Sequence, residues 1–253
     1  MDGFIQFSGR RVLVTGASSG LGRAVAVQLG RLGAEVILSG RNLQELEHTR
    51  RLLVGTTAHV WPLELRECEG MNSAVRELAG RVGRIYGLCH CGGVVETRPL
   101  ASFQVETFEA MLEVNLTAGL RLAQAVTRRD VMTEEGGAIL FVASIYGRVG
   151  MPGQIGYSAT KGALLAAARA MAVELARRRI RVNTLSPGFV RTPMTDKAMR
   201  LLSAEQQREF EAAYPLGAGT PEDVARAAAF LLAPENRWIT GADLVVDGGY
   251  TAR

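Results

Sequence analysis

A tyrosine and a lysine lie four residues apart in this sequence, Tyr157 and Lys161. The lysine is unusual, because only two of the chain's 29 lysine and arginine residues are lysines, Lys161 and Lys197. On a helix, residues at this spacing share one face. A compact ammonium beside a phenol lowers the pKa of that phenol, a role for which a broad, planar guanidinium is poorly suited. The pair therefore indicates a proton donor with a neighbouring charge that tunes it.

These side chains need a scaffold, and the apolar pattern predicts one. Short apolar runs, typical of strands buried on both faces, occur at 12–14, 36–38, 59–63, 85–91, 138–143, 180–185 and 244–246. Helical periodicity falls between them, at 20–32, 43–53, 72–82, 107–131, 157–178 and 221–232. This alternation predicts an α/β fold, a doubly wound Rossmann-type sheet of about seven parallel strands flanked by helices. We expect a single domain over residues 1–253.

Residues 188–214 interrupt the alternation directly after a strand, and they contain a helix-like stretch at 195–213. Ligands of doubly wound sheets bind at the carboxyl ends of the strands. A segment inserted there can cover a bound ligand. We therefore expect a small helical lid.

Composition narrows the classes of partner. The 253 residues carry a formal net charge of +4 without a block of like charges, so nucleic acid is not an expected partner. No apolar stretch approaches the roughly 18 residues that a membrane helix needs. Three cysteines, an odd number, favour a reducing compartment over a disulfide framework, and we expect a cytoplasmic protein. Cys89, His90 and Cys91 alternate faces of a strand and lack a second ligand pair, so no metal site is predicted.

Residues 15–22 follow the first strand and open the first helix, the context of a phosphate-binding turn. Glycines permit close backbone approach, and a helix amino terminus favours the negative charge of a pyrophosphate. The alternative is a glycine-rich turn with no ligand. The expected contacts are Gly16, Ser18, Ser19, Gly20, Leu21 and Gly22.

The end of the second strand bears on the choice of cofactor. Residues 39–42 contain no carboxylate to bind the ribose hydroxyls of NAD, whereas Arg41 offers a bidentate partner for a 2′-phosphate. NADP(H) is therefore favoured over NAD(H). Arg41 could instead be a solvated residue at a helix start, and Arg23 could share or replace its role.

Taken together, the motifs resemble the classical short-chain dehydrogenase/reductase family over essentially the whole chain. They occur in the family's order: residues 15–22, Asn115, Ser144, Tyr157 with Lys161, Pro187 with Gly188, and 240–249. The resemblance implies that Ser144 hydrogen-bonds the substrate carbonyl and that Tyr157 protonates it. It further implies that Lys161 contacts the nicotinamide ribose and lowers the tyrosine pKa. Asn115 would hold a helix bend and a water that resupplies protons through Lys161.

The resemblance also implies further cofactor contacts. They are Glu64, Leu65, Cys91, Gly92, Gly93, Tyr157, Lys161, Pro187, Gly188, Val190 and Thr192. The chain departs from the family where His90, Cys91, Gly92 and Gly93 replace the usual Asn-Asn-Ala-Gly, whose amides brace the neighbouring strands. Glu64 stands where an aspartate commonly contacts the adenine.

Within the family, the chain looks most like 3-oxoacyl-[acyl-carrier-protein] reductases, so the expected substrate is a ketone, either small or bound to acyl carrier protein. The implied substrate contacts are Ser144, Tyr146, Met151, Gln154, Tyr157 and Phe189. The expected pocket lining is apolar and also suits a ketoreductase of a secondary pathway that handles polyketide, polyene or aromatic chains; it consists of Ile145, Tyr146, Val149, Met151 and Phe189. A non-catalytic NADP-binding sensor or scaffold is the alternative of another class, but it would not need Ser144, Tyr157 and Lys161 together.

Two surfaces could hold protein partners. Arg177, Arg178, Arg179 and Arg181, with Arg128 and Arg129, could dock an acidic carrier protein near the mouth of the site. Alternatively, they complement a helix dipole and solubilise the surface. The helices near 107–131 and 157–178 would pair in a homotetramer or dimer, as in the family.

Overall fold

A computed structural model describes residues 5–66, 70–200 and 202–252. Within them, one sheet of seven parallel strands has the order β3-β2-β1-β4-β5-β6-β7. The strands are β1 (Arg11–Thr15), β2 (Glu35–Gly40), β3 (Ala58–Pro62), β4 (Gly87–His90), β5 (Gly137–Val142), β6 (Ile180–Pro187) and β7 (Asp243–Val246). The strand order reverses beside β1, between β2 and β4. In such sheets the ligand crevice forms at this reversal, outside the strand carboxyl ends.

Helices cover both faces of the sheet. They are α1 (Gly20–Arg31), α2 (Leu43–Leu52), α3 (Met71–Val82), α4 (Val105–Leu112), α5 (Ala118–Val126), α6 (Ile155–Leu175), α7 (Pro193–Met199), α8 (Ala204–Ala212) and α9 (Pro221–Leu232). Side chains of β1 alternate between two cores: Val12 and Val14 pack with α1 and α9, and Leu13 packs with α3, α5 and α6. Burial on both faces explains why the strands are continuous apolar runs. The predicted α/β architecture is confirmed.

The structure differs from the sequence prediction in two helical segments. The helix expected at 107–131 ends at Val126, and a π-helical turn, Glu113–Thr117, joins α4 to α5. The single helix expected at 195–213 is two helices, α7 and α8. Ser203 starts the second of them, because its side chain accepts the Gln206 N–H while the Gln206 side chain accepts the Ser203 N–H. That this segment acts as a lid stays a prediction.

A buried arginine ends helix α9. The Arg181 guanidinium, on β6, donates to the carbonyl oxygens of Leu231 at 2.6 Å, Leu232 at 3.0 Å and Ala233 at 2.9 Å. These carbonyls have no partner within the helix. The positive charge also complements the negative end of the helix dipole. Arg181 is therefore a core residue and is not available to a partner protein.

The other arginines of the expected docking surface lie at the wrong edge of the sheet. Helix α6 starts at the strand carboxyl ends and runs to the opposite edge, where residues 176–178 precede β6. Arg178 is therefore roughly 30 Å along the helix from Tyr157. Arg128 and Arg129 follow α5 at the same far edge. These arginines therefore do not flank the mouth of their own chain's site, and that prediction is wrong.

Candidate active site

The turn between β1 and α1 is shaped to receive an anion. Gly16 and Gly20 have φ values of +65° and +50°, which favour glycine. A Cβ on Gly22 would lie 2.2 Å from the Gly16 carbonyl oxygen, so the helix can start this close to the turn only with glycine there. The first turn of α1 has no acidic residue and no side-chain cap. Its free N–H groups therefore suit a pyrophosphate.

A cavity of about 340 Å³ opens above this turn. Every residue predicted to contact the cofactor lines it, from Gly16 through Arg41, Glu64 and Cys91 to Thr192. Lining residues that sequence reasoning missed are Thr15, Ser39, Gly40, Leu63, Arg66, Val94, Val114, Val142, Ala143, Pro193, Met194 and Thr195. Most of them adjoin a motif residue in the chain, which is the signal that could have identified them. The residues present thus fit a dinucleotide.

The two candidate cations at the far end of the cavity differ in their partners. Arg41 is 70% exposed and its Nη1 lies 3.7 Å from a Glu64 carboxylate oxygen. Arg23 donates to Thr49 Oγ1 at 3.0 Å, to the Ser18 carbonyl and to Glu45. Because Arg23 holds the turn and α2 together, the suggestion that it replaces Arg41 is not supported.

The predicted proton-transfer residues converge on the opposite end of the cavity. Ser144, Tyr157 and Lys161 all line it. Ser144 caps a 3₁₀ turn that begins at the end of β5, and its oxygen accepts the Tyr146 N–H at 3.2 Å. The Ser144 hydroxyl lies close enough to the Tyr157 hydroxyl to lower the pKa of that phenol. One small region is thus bordered by two hydroxyl groups and an ammonium.

Lys161 acts on Tyr157 less directly than predicted. The Lys161 Nζ lies 5.6 Å from the centre of the Tyr157 ring and donates to the Val142 carbonyl at 2.8 Å. Burial raises the pKa of Tyr157 to about 12, and the neighbouring Ser144 hydroxyl offsets that rise only in part. Burial lowers the pKa of Lys161 to about 8. In this structure desolvation is the largest cause of both pKa shifts, and neither group accounts for the other's shift.

Asn115 lies behind the cavity, at the π-helical turn, where the resemblance implied a bend. Its Oδ1 accepts the Val94 N–H at 2.8 Å, and its Nδ2 donates to the Val94 carbonyl at 2.9 Å and to Thr160 Oγ1 at 3.1 Å. The amide therefore ties the loop after β4 to helix α6. A Cβ on Gly93 would lie 3.3 Å from Asn115 Oδ1 and 3.5 Å from Lys161 Nζ, so these two groups face each other across a glycine.

Comparison with known proteins agrees with this geometry. A family model described as enoyl-(acyl carrier protein) reductase matches residues 16–251. The 3-oxoacyl-[acyl-carrier-protein] reductase FabG of Rickettsia bellii is 36% identical over 97% of this chain and 98% of its own length. The FabG of Thermotoga maritima is 32% identical over 97% and 99%.

Solved structures give the same result. A short-chain type dehydrogenase/reductase from Mycobacterium marinum superposes with a TM-score of 0.90 at 31% identity, covering 98% of both chains. An actinorhodin polyketide ketoreductase with NADPH superposes with a TM-score of 0.91 at 29% identity, covering 97% of this chain and 98% of its own. The chain belongs to the short-chain dehydrogenase/reductase family. It is accordingly an oxidoreductase of a family that binds nicotinamide cofactors.

His90, where this short-chain dehydrogenase/reductase departs from the usual asparagine, is fully buried. Its Nδ1 lies 2.9 Å from Thr15 Oγ1, which accepts the Gly92 N–H at 3.1 Å. If Nδ1 accepts the Thr15 O–H, the ring proton lies on Nε2, which is buried near Val114 without a hydrogen-bond partner among the described residues. Burial, and then the Lys161 charge, lower the pKa of His90 to about 3, so the ring is neutral. His90 thus braces β4 against β1.

The predicted substrate contacts are only partly brought together. Ser144 and Tyr157 line the cavity, but Tyr146, Met151, Gln154 and Phe189 do not. Gln154 Nε2 instead donates to Thr97 Oγ1 at 2.7 Å.

Phe189 belongs to an aromatic cluster drawn from distant segments of the chain. Its ring centre lies 5.0 Å from that of Phe210 and 6.1 Å from that of Tyr214, and Tyr214 stacks on Tyr250 at 4.7 Å. Tyr146 packs against the same cluster. These packing partners lie too far apart in the sequence for local patterns to reveal them.

Proposed function

We propose that this enzyme reduces a ketone to a secondary alcohol with NADPH, and that its substrate is a 3-oxoacyl thioester on acyl carrier protein. The observation that carries the reaction class is the convergence of Ser144, Tyr157 and Lys161 on one wall of the dinucleotide cavity. The substrate class is supported by the names of the relatives, which are 3-oxoacyl-[acyl-carrier-protein] reductases. A cytoplasmic location fits the sparse, odd number of cysteines.

In the proposed mechanism, a nicotinamide held in this cavity beside Tyr157 and Lys161 would supply the hydride for the carbonyl carbon. Ser144 Oγ accepts from the Tyr146 N–H, which leaves its own proton free to donate to the carbonyl oxygen. The Tyr157 hydroxyl, beside Ser144, donates to the same oxygen and transfers its proton as charge develops there. A pKa of about 12 keeps Tyr157 protonated at neutral pH, as a proton donor must be.

Lys161 and Asn115 support this step. The Lys161 ammonium, held by the Val142 carbonyl, stabilises the tyrosinate that proton transfer leaves behind. Asn115 uses its whole side-chain amide on Val94 and Thr160, so it positions the loop and helix α6. In this proposal, the water that returns a proton to Tyr157 through Lys161 is held beside this turn.

NADPH is preferred in this proposal because β2 ends without a carboxylate and Arg41 lies in the cavity wall. The exposed guanidinium can turn from Glu64 to a 2′-phosphate, with which it forms bidentate hydrogen bonds. No such partner exists in NAD(H).

A Tyr157→Phe variant tests the mechanism. Removing the phenolic proton should lower kcat by about 10²- to 10⁴-fold with an acetoacetyl thioester, while NADPH affinity, measured by fluorescence titration, stays within about twofold. Tyr86→Phe is the matched control, because the Tyr86 hydroxyl donates to the Leu232 carbonyl away from the cavity. An undiminished rate in Tyr157→Phe would refute the mechanism.

A ketoreductase acting on aromatic or polyketide chains is the second candidate. It is favoured by the aromatic cluster of Phe189, Phe210, Tyr214 and Tyr250 and by the likeness to a polyketide ketoreductase. Turnover across acyl-thioester chain lengths, with and without carrier protein, and with bicyclic aromatic ketones, separates the two. Binding of NADPH with no turnover of any ketone would favour the sensor or scaffold instead.

A further inference from the structure

Two cysteines lie side by side next to the dinucleotide turn. Cys89 and Cys91 are two residues apart on β4 and its extension, so their side chains point to the same face. Their Sγ atoms are 3.5 Å apart. Cys89 is fully buried, whereas Cys91 is partly exposed and lines the cavity. Cys91 is thus the member of the pair that borders the cavity, and Cys89 is the buried member.

The main chain of Cys91 is part of the cofactor site. A Cβ on Gly16 would lie 3.1 Å from the Cys91 carbonyl carbon and 3.1 Å from Gly92 N, so turn and strand extension are in close contact. The Gly92 N–H donates to Thr15 Oγ1 at 3.1 Å. A displacement of Cys91 would therefore disturb the turn that receives the pyrophosphate.

We propose that Cys89 and Cys91 form a redox modification site, in which a peroxide converts the pair to a disulfide and the disulfide weakens cofactor binding. This inference goes beyond the reductase activity, and neither thiol takes part in the proposed proton transfer.

The chemistry proceeds in two balanced steps. The Cys91 sulfur attacks a peroxide oxygen, the O–O bond breaks, and Cys91 sulfenic acid and water (or an alcohol) are formed. The Cys89 sulfur then attacks the Cys91 sulfur, the S–O bond breaks, and a disulfide and a second water are formed. The two sulfurs together lose two electrons to the peroxide. A dithiol returns both cysteines to thiols by exchange.

The fold determines which residue moves. A disulfide requires the sulfurs to approach by about 1.5 Å. Cys89 is held in the middle of the sheet, where it pairs with Val14 of β1 and Leu140 of β5. Cys91 lies beyond the end of β4 and is followed by two glycines, so it moves more easily. Its movement pulls Gly92 away from Thr15 and alters the wall of the dinucleotide cavity.

The test uses the full chain, reduced and then treated with stoichiometric hydrogen peroxide. Intact mass should fall by two hydrogen atoms, and peptide mapping should find Cys89 joined to Cys91. NADPH affinity, measured by fluorescence titration, should weaken by roughly tenfold or more, because a buried hydrogen bond and the cavity wall are lost. Dithiothreitol should restore it, and NADPH bound beforehand should slow the oxidation.

Two variants separate this site from general thiol oxidation. Cys68→Ser removes the remaining cysteine, which lies outside the described residues, and should behave as the parent. Cys89→Ala removes the resolving sulfur, so Cys91 should accumulate as a sulfenic acid that dimedone traps. Persistence of both thiols while free glutathione is oxidised would overturn the proposal. So would a disulfide that leaves NADPH affinity unchanged.

Discussion

Lys161 carries its charge inside the protein, and the consequence is a titration near neutral pH. Its pKa falls to about 8, whereas Tyr157 remains protonated up to about 12. Ketone reduction requires a protonated tyrosine and a charged lysine. As the pH rises, the lysine loses its proton first, so activity should be lost on the alkaline side through Lys161.

We therefore predict that kcat/KM for NADPH is constant at neutral pH and falls tenfold per pH unit above about pH 8, because this ratio reports ionisation of the free enzyme. In Lys161→Arg the guanidinium stays charged, so the alkaline limb should move out of range. The value of kcat/KM at neutral pH should fall at least about 100-fold in this variant, because the planar guanidinium does not fit the place of the ammonium. An unchanged limb in Lys161→Arg would assign the titration to another group.

Arg41 should decide between the two nicotinamide cofactors. Loss of a charge-assisted bidentate contact costs about 1.5–3 kcal/mol, so Arg41→Ala should lower kcat/KM for NADPH about 10- to 100-fold and leave NADH nearly unaffected. Glu64→Gln should act in the opposite direction, since it removes the carboxylate that faces Arg41. Steady-state rates with both cofactors measure the effect, and Arg51→Ala, an exposed arginine of α2, is the matched control. Equal losses with both cofactors would contradict the assignment.

The position of the motif residues at the cavity could be predicted from the sequence because their geometry is local. The glycines of the turn, Ser144 and the Tyr157 and Lys161 pair each derive their position from one strand end or one helical turn. The role of His90 could not be assigned, because it depends on Thr15 and Val114 in distant segments. The pKa values likewise depend on burial, which local spacing does not specify.

The π-helical turn shows what propensity alone cannot predict. The apolar periodicity predicted one uniform helix, because within residues 105–126 apolar residues recur at helical spacing on both sides of the turn. The extra residue is stabilised by Asn115, which bonds both main-chain groups of Val94. On its other side the turn is packed against His90. Helix α4, the turn and α5 therefore form one unit with the end of β4.

Gly119, at the start of α5, should be intolerant of any side chain. A Cβ there would lie 2.9 Å from His90 Cδ2 and 3.1 Å from Nε2, and the ring is fixed by Thr15 and packed edge-on to Phe141. Gly119→Ala should lower the free energy of unfolding by about 1–3 kcal/mol, measured by urea denaturation. Gly80→Ala in α3 is the control, because nothing lies within 4 Å of its Cβ position. It should be neutral or raise stability by about 0.4–1 kcal/mol. Equal effects of the two substitutions would show that His90 can move aside.

For the molecule as a whole, the alternation of apolar runs and helical periods was enough to predict seven parallel strands. The same pattern did not place the arginines of the expected docking surface correctly, because spacing in the chain does not show which edge of the sheet a residue reaches. Within the described residues, no helix is both long and apolar enough to cross a membrane.

Helix α6 also carries an exposed apolar residue, Val173, which is 80% exposed. We expect it to be covered in a homotetramer or dimer. Light scattering after size exclusion should then give a multiple of the 27.2 kDa chain mass for the parent protein. Val173→Asp should shift the population to smaller species, because a carboxylate would be buried at the interface. Val54→Asp is the matched control, since Val54 is 89% exposed in a turn between α2 and β3. A parent protein that elutes as a monomer would refute the expected assembly.

The contact between Arg181 and the end of α9 has a consequence for the order of folding. When strand β6 joins the sheet, the Arg181 charge is buried, which is costly without acceptors. Its acceptors are the carbonyls of Leu231, Leu232 and Ala233, about fifty residues later in the chain. Contacts so distant in sequence close late. In a nascent chain whose α9 segment is still inside the ribosome, β6 should therefore not be stably paired in the sheet. The dinucleotide cavity, whose wall includes Pro187 and Gly188 at the end of that strand, should then be completed only after α9 has emerged.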